Sequence, residues 1–583
     1  MKLYAFGAAA ALLLAFPGTA PAQAVNPEFV QSGTGARARA FLDKVREQHV
    51  SVKDFGAKCD GSSNDSAAIA AAARAAAGKS LRFPACASAY RIASALTLTG
   101  TVVFDAGAVV APDRTITLTL NGEIFAPATS QIFSGGGNVL ISRTANPTVR
   151  ALWFAGADIG AQINAAVAAV ERGPAVVKVG AGSYRFITTI NLTDSTGIRL
   201  TSDSGNLNVN GNVGPVLMWT GGAGSGGALK APGSRAFEFD HLNLTYNNAG
   251  YNGSLLSLSS TGGANNTANA HIHHARIAGQ AGAAGAARLI EVNTTLNFTI
   301  DNTVLDYAVV GIGATGGSNN VISIGDGMWF DKHFTDAVIR AWGANWRFGN
   351  FVAESDPTNG VLVTTFLKLA GNVSGISFNG GLFVDGGNAG GTFIDLRDST
   401  SSGISLNGVV GAANNGTFLM ASILAGATSG LSVQGCAVVM AVGFNLGRAD
   451  AVTITGNDLN RLSTPWTGLE PTRYFIDGNN TGGTNTSGVI VGNNSSIAIS
   501  RPGSSNDGAG LISIWVTEEA GGALYMLNGS AGTTTEISDS YSIFSTTQAT
   551  ASSLNIYWDA RTKAYRLENK RGGNRTVTVT GLR

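Results

Sequence analysis

The sequence predicts an all-β protein, a solenoid of stacked coils followed by an antiparallel β-sandwich. Three observations predict it. Turn-forming pairs recur 21 to 30 residues apart between Asp301 and Thr455, a period that suits solenoid coils with loops of varying length. Between the turns, apolar residues alternate with polar ones, as in Ile376-Ser377-Phe378 and Val452-Thr453-Ile454, the two-residue period of a strand buried on one side. Finally, 78 of 583 residues are glycine and only 13% are charged, about half the roughly 25% of ordinary soluble domains. That composition suits a β-rich extracellular protein and argues against a helical cytosolic enzyme.

The chain opens with Lys2, an apolar stretch from Ala8 to Phe16, and Ala22-Gln23-Ala24. This is the pattern of an export signal with small residues at the cleavage positions. Residues 1–24 are therefore expected to be a signal peptide cut after Ala24, placing the protein outside the cytoplasm: secreted, periplasmic or on the cell surface. No later segment has eighteen uninterrupted apolar residues, so no membrane partner is expected. The formal charge is +1, from 38 Lys and Arg against 37 Asp and Glu. Nucleic-acid binders carry a clear basic excess, so nucleic acid is not an expected partner.

Export permits disulfides. Cys59 and Cys86 flank a helical stretch and are expected to bridge around it, the alternative being two buried thiols; Cys436 stands alone in an apolar strand.

The strongest local pattern is Val50-Ser51-Val52-Lys53-Asp54-Phe55-Gly56-Ala57, then Asp60-Gly61 and Asp65, then an Ala-rich helix from Ser66 to Ala77 that Asp65 or Ser66 can cap. The short strands Leu81-Arg82-Phe83-Pro84 and Tyr90-Arg91-Ile92 follow. This pattern resembles the opening motif of the pectate-lyase-like superfamily of right-handed parallel β-helices, most closely the version in phage tailspikes and bacterial pectate-lyase-like proteins. The stretch Ala36–Glu47 is similar to the short lead-in helix of tailspike-type proteins. The resemblance covers about 60 residues and implies a right-handed parallel β-helix whose short N-terminal helices cap an open sheet end.

A weaker second copy begins at Val149, with Trp153-Phe154-Ala155-Gly156, an Ala-rich helix from Ile159 to Glu171, and strands at 176–180 and 190–192. The resulting organisation is a signal peptide (1–24), a lead-in helix and linker (25–48), a β-helical preface with its capping helix (49–148), the main β-helix (149–500) and a C-terminal β-sandwich (501–583). The sandwich is expected from strands at 511–517, 523–527, 554–558, 565–567 and 576–580, separated by Gly-rich turns. In related tailspikes such modules often support trimers or bind carbohydrate, so a homotrimer is expected by analogy alone.

Two familiar motifs fail. Gly78-Lys79-Ser80 ends like a phosphate-binding loop, but Ala73 stands where a glycine is needed. Gly222, Gly224 and Gly227 have dinucleotide-motif spacing, yet no helix follows. His271, His273 and His274 form a compact cluster in which His271 and His273 share a strand face. Two such imidazoles could ligate a metal, but no third ligand stands nearby in sequence. The cluster is accordingly assigned to a polar turn or a sugar contact, and no metal ligands are expected.

Aligning the coils on their turns brings out carboxylates. Five or six residues after Asp301, Gly325, Gly349 and Asn379 come Asp306, Asp331, Glu354 and Asp385. Equivalent positions in a β-helix stack about 4.8 Å apart, so adjacent coils would give the roughly 5 Å between carboxyls of retaining glycosidic hydrolysis, and every second coil about 9.5 Å, which matches inversion. Asp331 and Glu354 are the expected acid/base pair, with Asp306 and Asp385 as alternates. Around them Trp329, Lys332, His333, Arg340, Trp342, Trp346 and Asp356 form the densest aromatic and charged stretch of a low-charge chain. Aromatic faces suit sugar C–H surfaces and Arg suits carboxylated sugars. The bland alternative is a solvated acidic edge or a Ca²⁺ site.

The resemblance does not carry over any one family's catalytic set. The Asn-Thr-Asp, Asp-Asp, Gly-His-Gly and Arg-Ile-Lys series of polygalacturonases is absent, as are the Trp-Ile-Asp-His and paired-Arg motifs of calcium pectate lyases. Three functions are compatible with the sequence. The first is a secreted glycoside hydrolase acting on a polysaccharide, with no required cofactor. The second is a polysaccharide lyase using Lys332, His333 or Arg340 as base, with Ca²⁺ or Arg neutralising a uronate. The third is a non-catalytic, glycan-binding adhesive protein.

Overall fold

The computed structural model describes residues 28–29, 39–40 and 49–582, except 204–213, 223–226, 249–250, 260–265, 280–287, 315, 318, 355–364, 386–390, 399, 414–415, 422–426, 448, 460–461, 463, 468–473, 478, 480–488, 499–509, 520, 529–532, 541 and 562–563. Residues 1–24 lie outside the described residues. So does most of the expected lead-in helix, 36–47. Its two described residues, Arg39–Ala40, are not helical but pair antiparallel with Glu28–Phe29.

From His49 to Asp477 the described chain is a parallel β-helix. In the preface, His49–Ser51, Ser80–Phe83, Val102–Phe104 and Ile124–Phe125 stack in parallel as one column. Two further columns hold Leu96–Leu98, Thr117–Leu120 and Asn138–Ile141, and Tyr90–Ile92 with Val110–Pro112. Alternation drives this stacking: in Val102–Phe104 the outer two residues are buried and the middle one is not.

Helix α1 (Ser66–Ala75) covers the open end, burying Ser66, Ile69 and Ala72. Asp65 precedes α1 without capping it through its side chain. Its carboxylate instead accepts the backbone N–H groups of Lys58 at 2.7 Å and Cys59 at 3.1 Å, and Asn64 accepts that of Ser66 at 3.0 Å. The acid thus fixes the loop that carries Cys59, which is disulfide-bonded to Cys86 with 5.8 Å between Cα atoms.

Helix α2 (Ile159–Ala169) is capped by Asp158, which accepts the N–H groups of Ala161, Ile187 and Thr188, each at 2.9 Å. From Thr148–Arg150 onward, three columns of parallel strands run up the molecule. The first holds Ala175–Val179, Ile198–Ser202, Glu238–Asp240, His271–His273 and Thr295–Asp301, and continues to Tyr474–Asp477. The second runs through Val216–Trp219, Asn243–Tyr246, Arg276–Ala278 and the starts of Val304–Gly313 and Met328–Phe348, then Phe351–Glu354, Leu382–Asp385 and Val410–Ala413. The third carries Arg288–Glu291, Thr392–Asp395 and Thr417–Met420. Met328–Phe348 is a single assigned strand that bends through all three columns.

The expected turns between the first and second columns lie in register: Asp240, His273 and Asp301 stack, as do Asn379, Asn407, Gln434 and Thr455. One apolar core runs from Val52 to Leu459 without a break between the preface and the main helix. Phe83, Phe104, Phe133 and Phe154 relay across that junction at centroid distances of 4.9, 5.8 and 5.2 Å.

The C-terminal unit is made of two largely antiparallel sheets around a core of its own, including Ile514, Tyr525, Ile556, Tyr565 and Val577. It takes in more chain than expected. Val489–Val491 and Ser496–Ala498 pair with Arg575–Leu582 and Ala564–Asn569, so the unit starts before residue 501. Short edge strands of three residues carry too little alternation to stand out in sequence. Among the described residues, no helix is long and apolar enough to cross a membrane.

Candidate functional site

The second column presents two outward rows. Leu305, Phe330 and Ala353 point into the core and are fully buried, so strand alternation turns the residues on either side of them outward. One row contains Arg276, Val304, Trp329 and Val352. The other contains Asp306, Asp331 and Glu354 in strict register, preceded by Ala278 and followed by Val384. Three successive coils therefore place a carboxylate at one lateral position, with a repeat of about 4.8 Å.

The fourth expected member is displaced. Val384, not Asp385, is the partner of Glu354, and Asp385 pairs one step further along with Ala413. The reason lies in the turn of the Asp331 coil. Asp326-Gly327 holds one residue more than its neighbours, and Gly327 adopts φ +71 there, with the Asn302 side chain so close that a Cβ would collide with it. The strand of that coil starts one residue late. Its acid sits six residues after the turn, whereas Asp306, Glu354 and Val384 each sit five residues after theirs.

The three stacked acids have different surroundings. Asp306 is fully buried and bound by Arg276, whose Nη2 and Nε donate to Oδ2 at 2.7 and 3.2 Å. A buried carboxylate deprived of such a partner would destabilise the fold by about 3–5 kcal/mol. Asp306, expected as an alternate catalytic acid, is thus committed to an ion pair. Asp331 is half-buried between its two neighbours. Glu354, also half-buried, accepts the indole N–H of Trp329 at 3.2 Å.

After Asp306 and Asp331 the chain turns the corner into the third column, and the two coils differ there. One residue, Tyr307, separates Asp306 from Ala308, whereas Lys332 and His333 separate Asp331 from Phe334. The backbone of Lys332 and His333 thus lies at the acids' corner; their side chains, and all of Asp356, lie outside the described residues.

Arg340 stands in the third column beside Lys368. Both are tied to Asp336, Arg340 by an ion pair and Lys368 Nζ at 3.4 Å. Next in that row, burial pushes the Asp395 carboxyl up, but Arg397 through its side chain and backbone, with help from Lys368, outweighs burial and holds it below the usual carboxylate range. Trp342 is half-buried and packs against the core. Trp346 is wholly core, sandwiched in register between Ile322 and Ile376, with its indole N–H donated to the Trp342 carbonyl at 3.2 Å. It is therefore not a substrate contact. The alternating pattern around Trp346 already marks it as inward-facing, since it shares parity with Phe348.

Arg276 and Lys368 were not foreseen. A signal for Arg276 exists: it follows its turn, His273-His274, at the offset that places Val304 in the same row.

No protein-family model matches the chain, and neither does any curated protein sequence. Among solved structures, the chain is similar to a tailspike protein of E. coli bacteriophage HK620 in complex with a hexasaccharide. The two are 10% identical over 96% of this chain and 98% of that one, with a TM-score of 0.34. It is also similar to PfbA, a surface adhesin of Streptococcus pneumoniae, at 13% identity over 85% of this chain and 99% of that one, with a TM-score of 0.25.

Proposed function

We propose that this protein is an exported polysaccharide-degrading enzyme, a glycoside hydrolase whose Asp331 and Glu354 cleave the glycosidic bond on the flank of the β-helix. The observation that carries the reading is the registered stack of Asp306, Asp331 and Glu354. Asp331 donates its proton to the leaving glycosidic oxygen. Glu354, oriented by the Trp329 indole, attacks the anomeric carbon, and water then releases the sugar with Asp331 as base. Adjacent coils repeat at about 4.8 Å, near the roughly 5–5.5 Å of retaining enzymes. The inverting geometry would need carboxyls about 6.5–9.5 Å apart, which in this row means Asp306 with Glu354, and Asp306 is engaged by Arg276. Retention is the expected stereochemistry.

Of the three bases that elimination could use, Lys332, His333 and Arg340, the last is ion-paired with Asp336. A polysaccharide is the partner under this proposal, with residues 1–24 directing export; a homotrimer is an expectation that sedimentation would check.

The test is a panel of purified polysaccharides, with and without chelator, assayed for new reducing ends and for the ultraviolet absorbance of unsaturated sugars. Asp331→Asn with Glu354→Gln should lower reducing-end release at least about 10³-fold while leaving polysaccharide binding nearly intact. Equal release by the double variant and the wild type would refute the site. Unsaturated products would replace hydrolysis by elimination. Binding without any product would make the protein an adhesin.

A further inference from the structure

Four of the six histidines of the chain, His241, His271, His273 and His274, gather around the turns between the first and second columns. The structure brings to them the ligand that sequence proximity lacks. Asp240, from the preceding coil, is in register with His273 and completely buried. Its Oδ2 is held by Arg199 Nη2 at 2.5 Å and Thr201 Oγ1 at 3.0 Å. Its Oδ1 has no properly formed hydrogen bond and faces three imidazole nitrogens. These are Nδ1 of His273 at 3.3 Å, Nδ1 of His274 at 3.6 Å, and Nδ1 of His241 in closer contact.

Three Nδ1 atoms converging on one carboxylate oxygen suit a shared cation better than a set of protons. The Nδ1 atoms of His273 and His274 are only 2.8 Å apart, so two neutral rings could place at most one proton between them. We propose that Asp240, His273 and His274 bind a transition-metal dication of the zinc class.

The geometry agrees in two respects. Zinc–nitrogen and zinc–oxygen bonds of about 2.0–2.1 Å in a tetrahedron separate ligand atoms by about 3.3 Å; the contacts of Asp240 with His273 and His274 are 3.3 and 3.6 Å. The outer shell is also in place. His273 Nε2 meets Glu238 Oε1 at 2.6 Å, the carboxylate–histidine pairing that fixes which nitrogen faces a metal. His271, stacked on His273 at 4.3 Å and bound to Asp301 at 2.8 Å, holds the ring from the other side. Imidazole-rich donors favour zinc-like ions over Ca²⁺, which takes oxygen ligands. The site would staple the coil of Asp240-His241 to that of His273-His274.

The experiment uses the full chain without a polyhistidine tag, freed of metal by chelator and titrated with Zn²⁺ alone. One Zn²⁺ per chain is expected, weakened at least about tenfold by His273→Gln or His274→Gln and unchanged by His49→Gln, which lies outside the cluster. His274 is half-exposed, so its substitution opens no cavity. Co²⁺ bound to the wild type should give the visible bands of a four-coordinate ion, a readout that needs no variant. Failure of the wild type to retain Zn²⁺, or equal affinity in both glutamine variants, would overturn the proposal.

Discussion

Asp306 and Asp331 occupy equivalent places one coil apart, yet one is a buried anion clamped by Arg276 and the other is half-open to solvent. Position in the row was legible from the turn spacing; chemical character was not, because it depends on which residue of the neighbouring coil lies alongside. Asp385 shows the same limit, since one extra residue in a single turn shifts the apparent alignment of the acids. At Asp158 the surroundings have a measurable consequence. Burial raises its carboxyl, but the N–H groups of Ile187, Ala161 and Thr188 outweigh it and hold it below the usual range. The charged form thus stabilises the fold fully above the unfolded value of about 3.9, and this contribution is lost as pH falls through the lower folded value. Asn also caps helices well, so Asp158→Asn isolates the charge. The stability gap between wild type and Asp158→Asn, followed by denaturant melts, should narrow below about pH 4; a gap independent of pH would contradict this assignment.

Among the elements, α1 and α2 were legible as Ala-rich segments bounded by acids, and both form close to where the composition places them. Their caps differ because only Asp158 has its carboxylate free to turn back onto its helix, whereas that of Asp65 is drawn to Lys58 and Cys59. The Cys59–Cys86 bridge encloses α1, its two ends separated by 27 positions in sequence. Closing a loop of that size should stabilise the protein by about 3–4 kcal/mol. Replacing both cysteines with serine should therefore lower the unfolding midpoint of the preface, and reduction of the wild type should reproduce the shift. An unchanged midpoint would mean that the bridge adds nothing to the cover of the open end.

For the whole molecule, the governing structure is the interior stack of aromatic rings. Phe393 lies 5.3 Å from Phe366, 5.4 Å from Phe378 and Phe383, and 5.1 Å from Phe418, so it bridges several coils. In a solenoid each coil is stabilised mainly by its neighbours. Phe393→Ala should cost about 3–5 kcal/mol and Phe393→Leu clearly less, as read from chemical denaturation. Equal losses for the two would show that the rings are not packed as a continuous stack.

The sequence by itself determined the coil repeat, the inward parity of each strand, the two helices, the disulfide and most strands of the C-terminal unit. All of these follow from local alternation, turn chemistry and short separations. Only the tertiary structure decided which side chains become neighbours between coils: Arg276 with Asp306, Trp329 with Glu354, and Asp240 with His273. The physical reason is that coil length varies with every loop. No constant sequence offset marks a vertical neighbour, and the register is set by backbone pairing along the whole column.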